Sequence, residues 1–150
     1  MKPRSYLCLL ATLCVMILPA RARSEEQPTL TGIVMQVDAL KTNNGFVYCD
    51  LYDKKEGFPT DPRRALARVK VQPIRNQVTC VFLNVKAGRY AVALWHDVDA
   101  DQKFGSNWLG IPTEPVGASN NAKGRFGPPS FKEAAFEYRP PLLKQNIRLE

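Results

Sequence analysis

Three aspartates at alternate positions, Asp97, Asp99 and Asp101, stand in the stretch LWHDVDADQKFGSN, residues 94–107. Carboxylates spaced in this way on a curling loop can converge on one hard cation, as ligands 1, 3 and 5 of a calcium loop do. The backbone carbonyl of Lys103 would then fall at position 7. The spacing therefore predicts a calcium site, and its alternative is a solvated acidic turn that binds no ion.

Two positions of this stretch depart from the usual calcium loop. Gln102 stands where the sharp turn favours glycine, and Trp108 stands where a bidentate glutamate closes the ligand shell. A residue further along, Glu114 or Asn107, would have to complete the shell. The candidate metal ligands are therefore Asp97, Asp99, Asp101 and Glu114.

The only histidine of the chain, His96, directly precedes Asp97. An imidazole oriented by a carboxylate can act as a general base, but no serine of the chain stands in a recognised nucleophile motif. Strand alternation also places His96 on one face with Tyr90, Val92 and Leu94, where it would cap the core. We therefore predict no catalytic residue, and a hydrolase centred on His96 and Asp97 is the alternative.

Aromatic side chains suggest a second alternative, a carbohydrate-binding module that uses Trp95 or Trp108. Aromatic residues of a β-sandwich more often belong to the core, which is the competing interpretation. The basic residues Arg63, Arg64, Arg68 and Lys70 could form an anion site, but the period-two pattern of this segment indicates the solvent face of one strand instead.

Export is predicted by the first 22 residues. Lys2 and Arg4 precede an apolar stretch from Tyr6 to Leu18, and Ala20-Arg21-Ala22 has the small-x-small pattern of a cleavage site. This stretch is shorter than the roughly 20 residues that a membrane span requires. Residues 1–22 are thus predicted to be a cleaved signal peptide. Residues 23–150 are predicted to be a single periplasmic or secreted domain without a transmembrane anchor.

Charge and cysteine content restrict the mature chain further. Loss of Lys2, Arg4 and Arg21 leaves 18 basic and 14 acidic residues, a net charge of +4. So small and scattered an excess argues against nucleic acid and leaves a small molecule, a glycan or a protein as the partner. Cys8 and Cys14 lie in the predicted signal segment.

The remaining pair, Cys49 and Cys80, lies in apolar runs of a chain predicted to enter an oxidising compartment. This favours one disulfide that joins two strands across the core, over the alternative of two unrelated buried thiols.

A period of two dominates the hydrophobic pattern, which predicts strands rather than helices. In residues 63–72 (RRALARVKVQ), the alternation directs Ala65, Ala67, Val69 and Val71 inward. A short turn is predicted around Ser130–Ala134. The predicted strands cover Thr29–Val37, Gly45–Asp53, 63–72, Val78–Val85, Arg89–Asp97, Ala134–Pro140 and Asn146–Glu150. The pattern predicts an all-β fold, an antiparallel immunoglobulin-like or transthyretin-like sandwich of about seven strands.

One long segment, Gly105–Pro129, interrupts this pattern with five glycines and four prolines. A loop of this length in a compact domain is either functional or disordered. Phe104, Trp108, Leu109 and Phe126 lie in or beside it, and such side chains are costly to leave in water. We therefore predict an ordered loop whose apolar residues pack onto the sandwich.

The segment Gly88–Phe136 resembles the domain-of-unknown-function 2141 family of exported bacterial proteins. Its pattern has a Gly-x-Tyr-Ala strand, a His-Asp-x-Asn-x-Asn-Gly-x-x-Asp loop, Gly-x-Pro-x-Glu, Ser-Asn-Asn and Pro-x-Phe-x-x-Ala. The positions of this pattern fall on Gly88, Tyr90, Ala91, His96, Asp97, Asp99, Asp101, Gly110, Pro112, Glu114, Ser119, Asn120, Asn121, Pro129, Phe131 and Ala134. Asp99 and Asp101 replace Asn of the pattern, and Gln102 and Gly105 replace its Gly and Asp.

The resemblance implies an exported sandwich and no established activity. We predict a non-enzymatic binding or structural module with an acidic loop that calcium stabilises. The segment Gly110–Pro129 would form its recognition edge, with Trp108, Ser119, Asn120 and Asn121 as candidate binding residues.

Overall fold

A computed structural model describes residues 31–109 and 112–150, which form two packed β-sheets. The predicted signal segment therefore lies outside the described residues. Among the residues described, no helix is long and apolar enough to cross a membrane. The strands are β1 (Gly32–Val37), β2 (Phe46–Tyr52), β3 (Ala67–Val71), β4 (Val78–Leu83), β5 (Gly88–Asp97), β6 (Val116–Ala118), β7 (Phe136–Tyr138) and β8 (Leu142–Ile147). The described residues also form one α-helix, α1 (Phe131–Ala134), and two 3₁₀ helices, Pro62–Arg64 and Ser119–Asn121.

The smaller sheet has the strand order β4-β1-β8, and the larger sheet has the order β3-β2-β5-β6, with β7 also paired to β5. All pairings are antiparallel except that of β1 with β8, which is parallel. The all-β sandwich is thus confirmed, but the prediction of a wholly antiparallel one is wrong at this pair. The chain leaves β7 of one sheet, turns at Pro141, and enters the other sheet beside the start of β1, where Gly32 N–H donates to Pro141 O (2.8 Å).

The core lies between the inner faces of the two sheets, because alternate side chains of each strand point inward. Ile33 and Met35 of β1 are fully buried there, as are Val47 and Leu51 of β2. Cys49 on β2 and Cys80 on β4 form the predicted disulfide, with their Cα atoms 6.5 Å apart. Since these strands belong to different sheets, the bond joins the two layers. Closing a loop of this length stabilises a fold by roughly 3–4 kcal/mol.

The basic segment 63–72 is only half strand. Residues Pro62–Arg64 form a 3₁₀ helix, whose N-cap Asp61 accepts a hydrogen bond from Arg63 N–H. Val69 and Val71 of β3 pack against the core, as predicted. Ala67 is exposed, so its predicted inward position is wrong. The reason is that β3 is the edge strand of its sheet and Ala67 is the first residue of this strand.

Part of the outer face of the larger sheet is covered by a second, small apolar cluster. Ala91 of β5, Ala118 of β6 and Ala134 of α1 are buried together, and Phe58 and Phe131 pack against them. The predicted turn at Ser130–Ala134 is this helix. A capping box begins it, in which Ser130 Oγ accepts from Glu133 N–H and the Glu133 carboxylate accepts from Ser130 N–H. Small residues on β5 and β6 let α1 approach the sheet closely.

Three of the large apolar side chains of the long loop are exposed to solvent, contrary to the prediction that they pack onto the sandwich. Trp108 is 90% exposed, Leu109 61% and Phe126 99%, so these side chains do not pack onto the sandwich. Instead, polar contacts shape the loop: the Glu114 carboxylate accepts hydrogen bonds from Val98 N–H and Gly105 N–H. The prediction of apolar packing was therefore wrong for these three residues, whereas Phe104 does contact Trp95 of β5.

Candidate metal centre

The end of β5 and its neighbouring turn fix the start of the acidic loop. His96 points into the core, is 1% exposed, and its Nε2–H donates to Asn44 O (2.7 Å). Asp97, the next residue, points to the other side of the sheet and pairs with Phe46. Gly45 has a φ of +67°, and a Cβ there would lie 1.7 Å from Asp97 O. The backbone at Asp97 is therefore held by a turn that only glycine can complete.

Three carboxylates converge at this point. Asp97, Asp99 and Glu114 each offer one oxygen, and these oxygens lie within 4.8 Å of one another. Asp97 is fully buried, Glu114 is half-buried and Asp99 is exposed. The site therefore has one ligand anchored in the protein and one side that is open to solvent.

Asp97 carries an unsatisfied oxygen. Its Oδ2 accepts a hydrogen bond from Gln102 N–H (3.1 Å), whereas its Oδ1 has no partner. In the part of the chain that the structure describes, Oδ1 is the one buried side-chain polar atom in this condition. A buried carboxylate oxygen without a partner loses its hydration and receives nothing in exchange. A water molecule or a cation at this place would give the oxygen a partner.

The electrostatics of the cluster favour a positive partner. Burial raises the pKa of Glu114, hydrogen bonds from Gly105 and Val98 oppose this, and the charges of Asp97 and Asp99 raise the pKa further. None of the ion pairs between described residues involves these three carboxylates. Mutual repulsion among like charges at this distance is therefore uncompensated by a lysine or arginine.

These ligands suit a hard divalent cation. Calcium binds six to eight oxygen atoms at flexible angles, and carboxylates, carbonyls and water can all contribute. The three carboxylates would supply part of that shell, and the open side at Asp99 admits water or a ligand. A cation would also give Asp97 Oδ1 its missing partner. The residues present therefore fit calcium.

The loop reaches this geometry without the expected glycine. Ala100 and Gln102 both adopt left-handed backbone conformations, with φ of 60° and 63°. Asp99 Oδ1 accepts from Asp101 N–H, and Asp101 Oδ1 accepts from Lys103 N–H (2.8 Å). Local side-chain hydrogen bonds of this kind stabilise tight turns. The left-handed conformation at Gln102 is what glycine normally supplies at this position of a calcium loop.

The structure gathers three of the four predicted ligands. Asp101 is exposed, lies outside the cluster, and uses one oxygen to hold Lys103 N–H. Glu114, which the sequence suggested only as a residue to complete the ligand shell, is one of the three members of the cluster. The difference arises because the loop turns back at Gln102, so that a residue from beyond the turn meets Asp97.

The segment Ser119–Asn121 makes its contacts within the protein. The buried Ser119 Oγ accepts from Val92 N–H (2.9 Å) and donates to Ala134 O (2.6 Å). Asn120 Nδ2 donates to carbonyl oxygens at the end of α1, including that of Ala135 (2.9 Å). Ligand binding by Ser119, Asn120 and Asn121 stays a prediction.

The aromatic candidates lie in two different settings. Trp95 stacks on Tyr48 with ring centroids 4.7 Å apart, and Phe104 meets Trp95 edge-on at 5.8 Å. Trp95 is thus part of a packed aromatic row on the outer face of the sheet. Trp108 is 90% exposed in the long loop. Of the two tryptophans, only Trp108 offers a free ring face.

Sequence reasoning missed an ion pair between a buried aspartate and an exposed arginine beside this row. Asp50 is 3% exposed, and its oxygens accept from Arg68 Nε (2.6 Å) and Nη2 (2.7 Å). This hydrogen bond is the largest cause of the raised pKa of Arg68. An aspartate inside the apolar run GFVYCDLYD is the signal that could have revealed it, because buried carboxylates require a partner.

The fold and the site define a class: a two-layer β-sandwich with a cluster of carboxylates in the loop after a central strand. The family described as "Uncharacterized protein conserved in bacteria (DUF2141)" matches residues 35–144, and the chain belongs to this family. The resemblance noted in the sequence is thereby confirmed. No curated protein and no solved structure gives a significant match.

Proposed function

We propose that the protein is an exported, non-enzymatic β-sandwich module that binds calcium through Asp97, Asp99 and Glu114. The observation that carries this proposal is Asp97 Oδ1, which is buried, unpaired and within 4.8 Å of oxygens of the other two carboxylates. Calcium would neutralise the repulsion within the cluster and hold residues 97–114 in place. The module would then present this loop to a small molecule, a glycan or a protein.

The burial of His96 weighs against the hydrolase alternative. Its ring is 1% exposed, and Nε2 is committed to Asn44 O. Asp97 points to the opposite side of the sheet from His96, so its carboxylate is not placed to orient the ring. A general base needs to reach a substrate proton directly or through one water molecule. His96 is better suited to fixing the 44–45 turn against the end of β5.

Trp108 keeps a carbohydrate-binding role as a second candidate. Its indole is almost fully exposed and lies in the loop that the cation would organise. Exposed aromatic faces can stack on apolar faces of sugars. Titration of neutral and acidic oligosaccharides, followed by tryptophan fluorescence, tests this role. A signal that changes in the native protein and not in Trp108→Ala supports it, and an unchanged signal with all sugars excludes it for those sugars.

Calorimetric titration of calcium into chelator-treated protein (residues 23–150) is the direct test of the metal site. We expect binding in the native protein and a rise in Tm with calcium, because a ligand that binds only the folded state stabilises it. Asp97→Asn should weaken binding by about two orders of magnitude or more, the equivalent of roughly 3 kcal/mol. Magnesium should bind less well, because it demands a smaller and stricter octahedral shell.

Asp101→Asn is the matched control, since it removes one charge from the same loop without touching the cluster. We expect it to lower calcium affinity only a few-fold, by long-range electrostatics. Equal losses for Asp97→Asn and Asp101→Asn would support the ligand set read from the sequence instead. Absence of calcium binding by the native protein would overturn the proposal.

Export itself is tested by expressing the full chain and sequencing the N-terminus of the protein outside the cytoplasm. Cleavage after Ala22 is the expected result. Retention of residues 1–22 on a cytoplasmic product would contradict it.

A further inference from the structure

The two flanks of the sandwich differ in how their edge strands are covered. On one flank, β8 is closed: Asn121 Nδ2 donates to Asn146 O (3.2 Å), and Asn121 Oδ1 accepts from Arg148 N–H (2.8 Å). Beyond it, Val116 and Glu150 exchange two backbone hydrogen bonds of 2.9 Å. Side-chain and backbone groups therefore satisfy this edge, and the two sheets are joined there.

The opposite flank is open. In the described part of the chain, β4 pairs only with β1 and β3 only with β2, so both present a free edge on the same side. Free edges in natural proteins usually carry charges, prolines or bulges that prevent pairing with another chain. The β3 edge has Arg68 and Lys70, with Pro73 just beyond. The β4 sequence, VTCVFL, contains no charge and no proline.

Two apolar pockets lie along these two edges, and together they are called the groove. One section, of about 490 Å³, is lined by Leu51, Leu66, Val69, Val85 and other residues. A second section, of about 470 Å³, is lined by Val71, Val78, Ile74 and others, and shares no lining residue with the first. Leu66 (55%), Leu83 (53%) and Ile74 (71%) are exposed along its margins. Large apolar side chains gathered beside an unprotected edge indicate a docking surface.

The positive charges at the two ends of the groove favour a ligand with acidic ends. Lys86 lines the section beyond the end of β4, and Arg75 lines the section before its start. Among residues 31–109 and 112–150, no acidic side chain lines either section. A second copy of the chain would bring the same cations against each other, whereas a segment with acidic ends would pair with both. Charge complementarity of this kind sets which partners a surface accepts.

We propose that this flank docks an extended peptide segment of another protein, which adds a strand to β4. Backbone groups of the segment would pair with the free edge of β4, and alternate apolar side chains would enter the groove. Acidic residues at its two ends would contact Lys86 and Arg75. Docking would extend the smaller sheet to four strands and cover Leu66 and Leu83.

Amide-resolved NMR and hydrogen exchange on the 23–150 protein test this docking. The probe is the synthetic peptide acetyl-Glu-Val-Thr-Val-Thr-Val-Glu-amide. The control peptide has lysine in place of both glutamates. We expect the acidic peptide to shift and protect amides of Val78–Leu83 and to bind about tenfold more tightly than the lysine peptide. Arg75→Glu combined with Lys86→Glu should reverse this preference.

Arg125→Glu combined with Lys132→Glu is the matched control, because both side chains are exposed and neither lines the groove. It should leave the preference unchanged. Amides in the rest of the sandwich report whether each variant is folded. Saturation of calcium should not alter docking, since the acidic loop lies outside the groove.

Three outcomes would overturn the proposal. The first is the absence of any effect of the acidic peptide on β4 amides. The second is protection of β4 in the free protein at all concentrations, which would mean that this edge is already covered. The third is protection of β4 that increases with protein concentration alone, which would assign the flank to a second copy of the chain.

Discussion

Two polar segments, Asp97–Glu114 at the end of β5 and Ser119–Asn121 after β6, differ in how far their side chains are hydrogen-bonded within the protein. Ser119 Oγ and the amides of Asn120 and Asn121 bond to backbone groups of β5, α1 and β8. Asp97 is as fully buried as Ser119, but its Oδ1 has no partner and lies beside two further carboxylates. The Ser119–Asn121 side chains have partners within the protein, whereas Asp97 Oδ1 has none among the described residues.

The comparison separates two uses of polar residues that look alike in sequence. Both segments match motifs of the family, and both were candidates for ligand contact. A polar side chain that already satisfies buried backbone groups stabilises the fold. A buried polar side chain without a partner within the protein is a candidate for contact with a further group. Substitutions in the two segments should therefore have different effects on stability and on calcium binding.

Ser119→Ala should produce the largest loss of stability. It leaves Val92 N–H buried without its partner and removes one of two donors to Ala134 O, to which Asn120 Nδ2 also donates. The loss should cost about 2 kcal/mol in the free energy of unfolding. Calcium affinity should not change. Chemical denaturation measures the first quantity and calorimetry the second. The control Ser106→Ala, at an exposed position, should stay within about 0.5 kcal/mol of the native protein. A loss for Ser119→Ala that is no larger than that of the control would contradict the structural role.

Asn121→Ala should cost less, about 1 kcal/mol, because water can reach the β8 edge and replace part of the lost bonding. Asn121→Asp retains the acceptor for Arg148 N–H and removes the donor to Asn146 O. Its effect therefore apportions the two hydrogen bonds. Exchange of the Arg148 amide should be faster in Asn121→Ala than in Asn121→Asp. Equal exchange rates of the Arg148 amide in both variants would show that the side-chain oxygen of Asn121 does not protect this edge.

Asp97→Asn should act in the opposite direction when calcium is absent. Replacing a buried, unpaired carboxylate with a neutral amide should raise the free energy of unfolding by about 1 kcal/mol. The measurement is a thermal melt in chelator, where a higher Tm is expected, and in excess calcium, where the order should invert. A lower Tm in chelator would mean that the carboxylate supports the fold as Ser119 does.

Glu114 should introduce a small dependence of stability on pH. Its pKa is raised in the folded state, so the folded protein binds the proton more tightly than the unfolded chain. The free energy of unfolding of the calcium-free protein should therefore fall as pH rises from the unfolded pKa, near 4.5, through the folded one. Calcium affinity should rise over the same range, as the ligand loses its proton.

Glu114→Gln should remove this contribution, and Glu137→Gln, at an exposed position of β7, should not. The comparison of both variants with the native protein isolates Glu114 from the other carboxylates. If the native protein and Glu114→Gln show the same pH profile in chelator, the cluster does not hold Glu114 as the structure describes.

Local patterns predicted much of the fold. The alternation of β2, β4 and β5 and the short turn at Ser130–Ala134 depend on neighbours in the chain, so they could be read directly. The partnership of Cys49 and Cys80 followed from their number and setting. The parallel pairing of β1 with β8 could not be read, because it depends on where the chain crosses between sheets. The exposure of Ala67 and Trp108 likewise depends on what lies over them.

The sequence by itself determined the all-β class, the disulfide and the presence of carboxylates after β5, because these follow from composition and short-range periodicity. Only the tertiary structure decided which carboxylates meet. The left-handed turn at Gln102 brings Glu114 to Asp97 and leaves Asp101 in solvent. It likewise decided that Ser119 is satisfied and that Asp97 is not. Satisfaction of a buried polar group depends on atoms brought from distant parts of the chain, and that information exists only once the chain has folded.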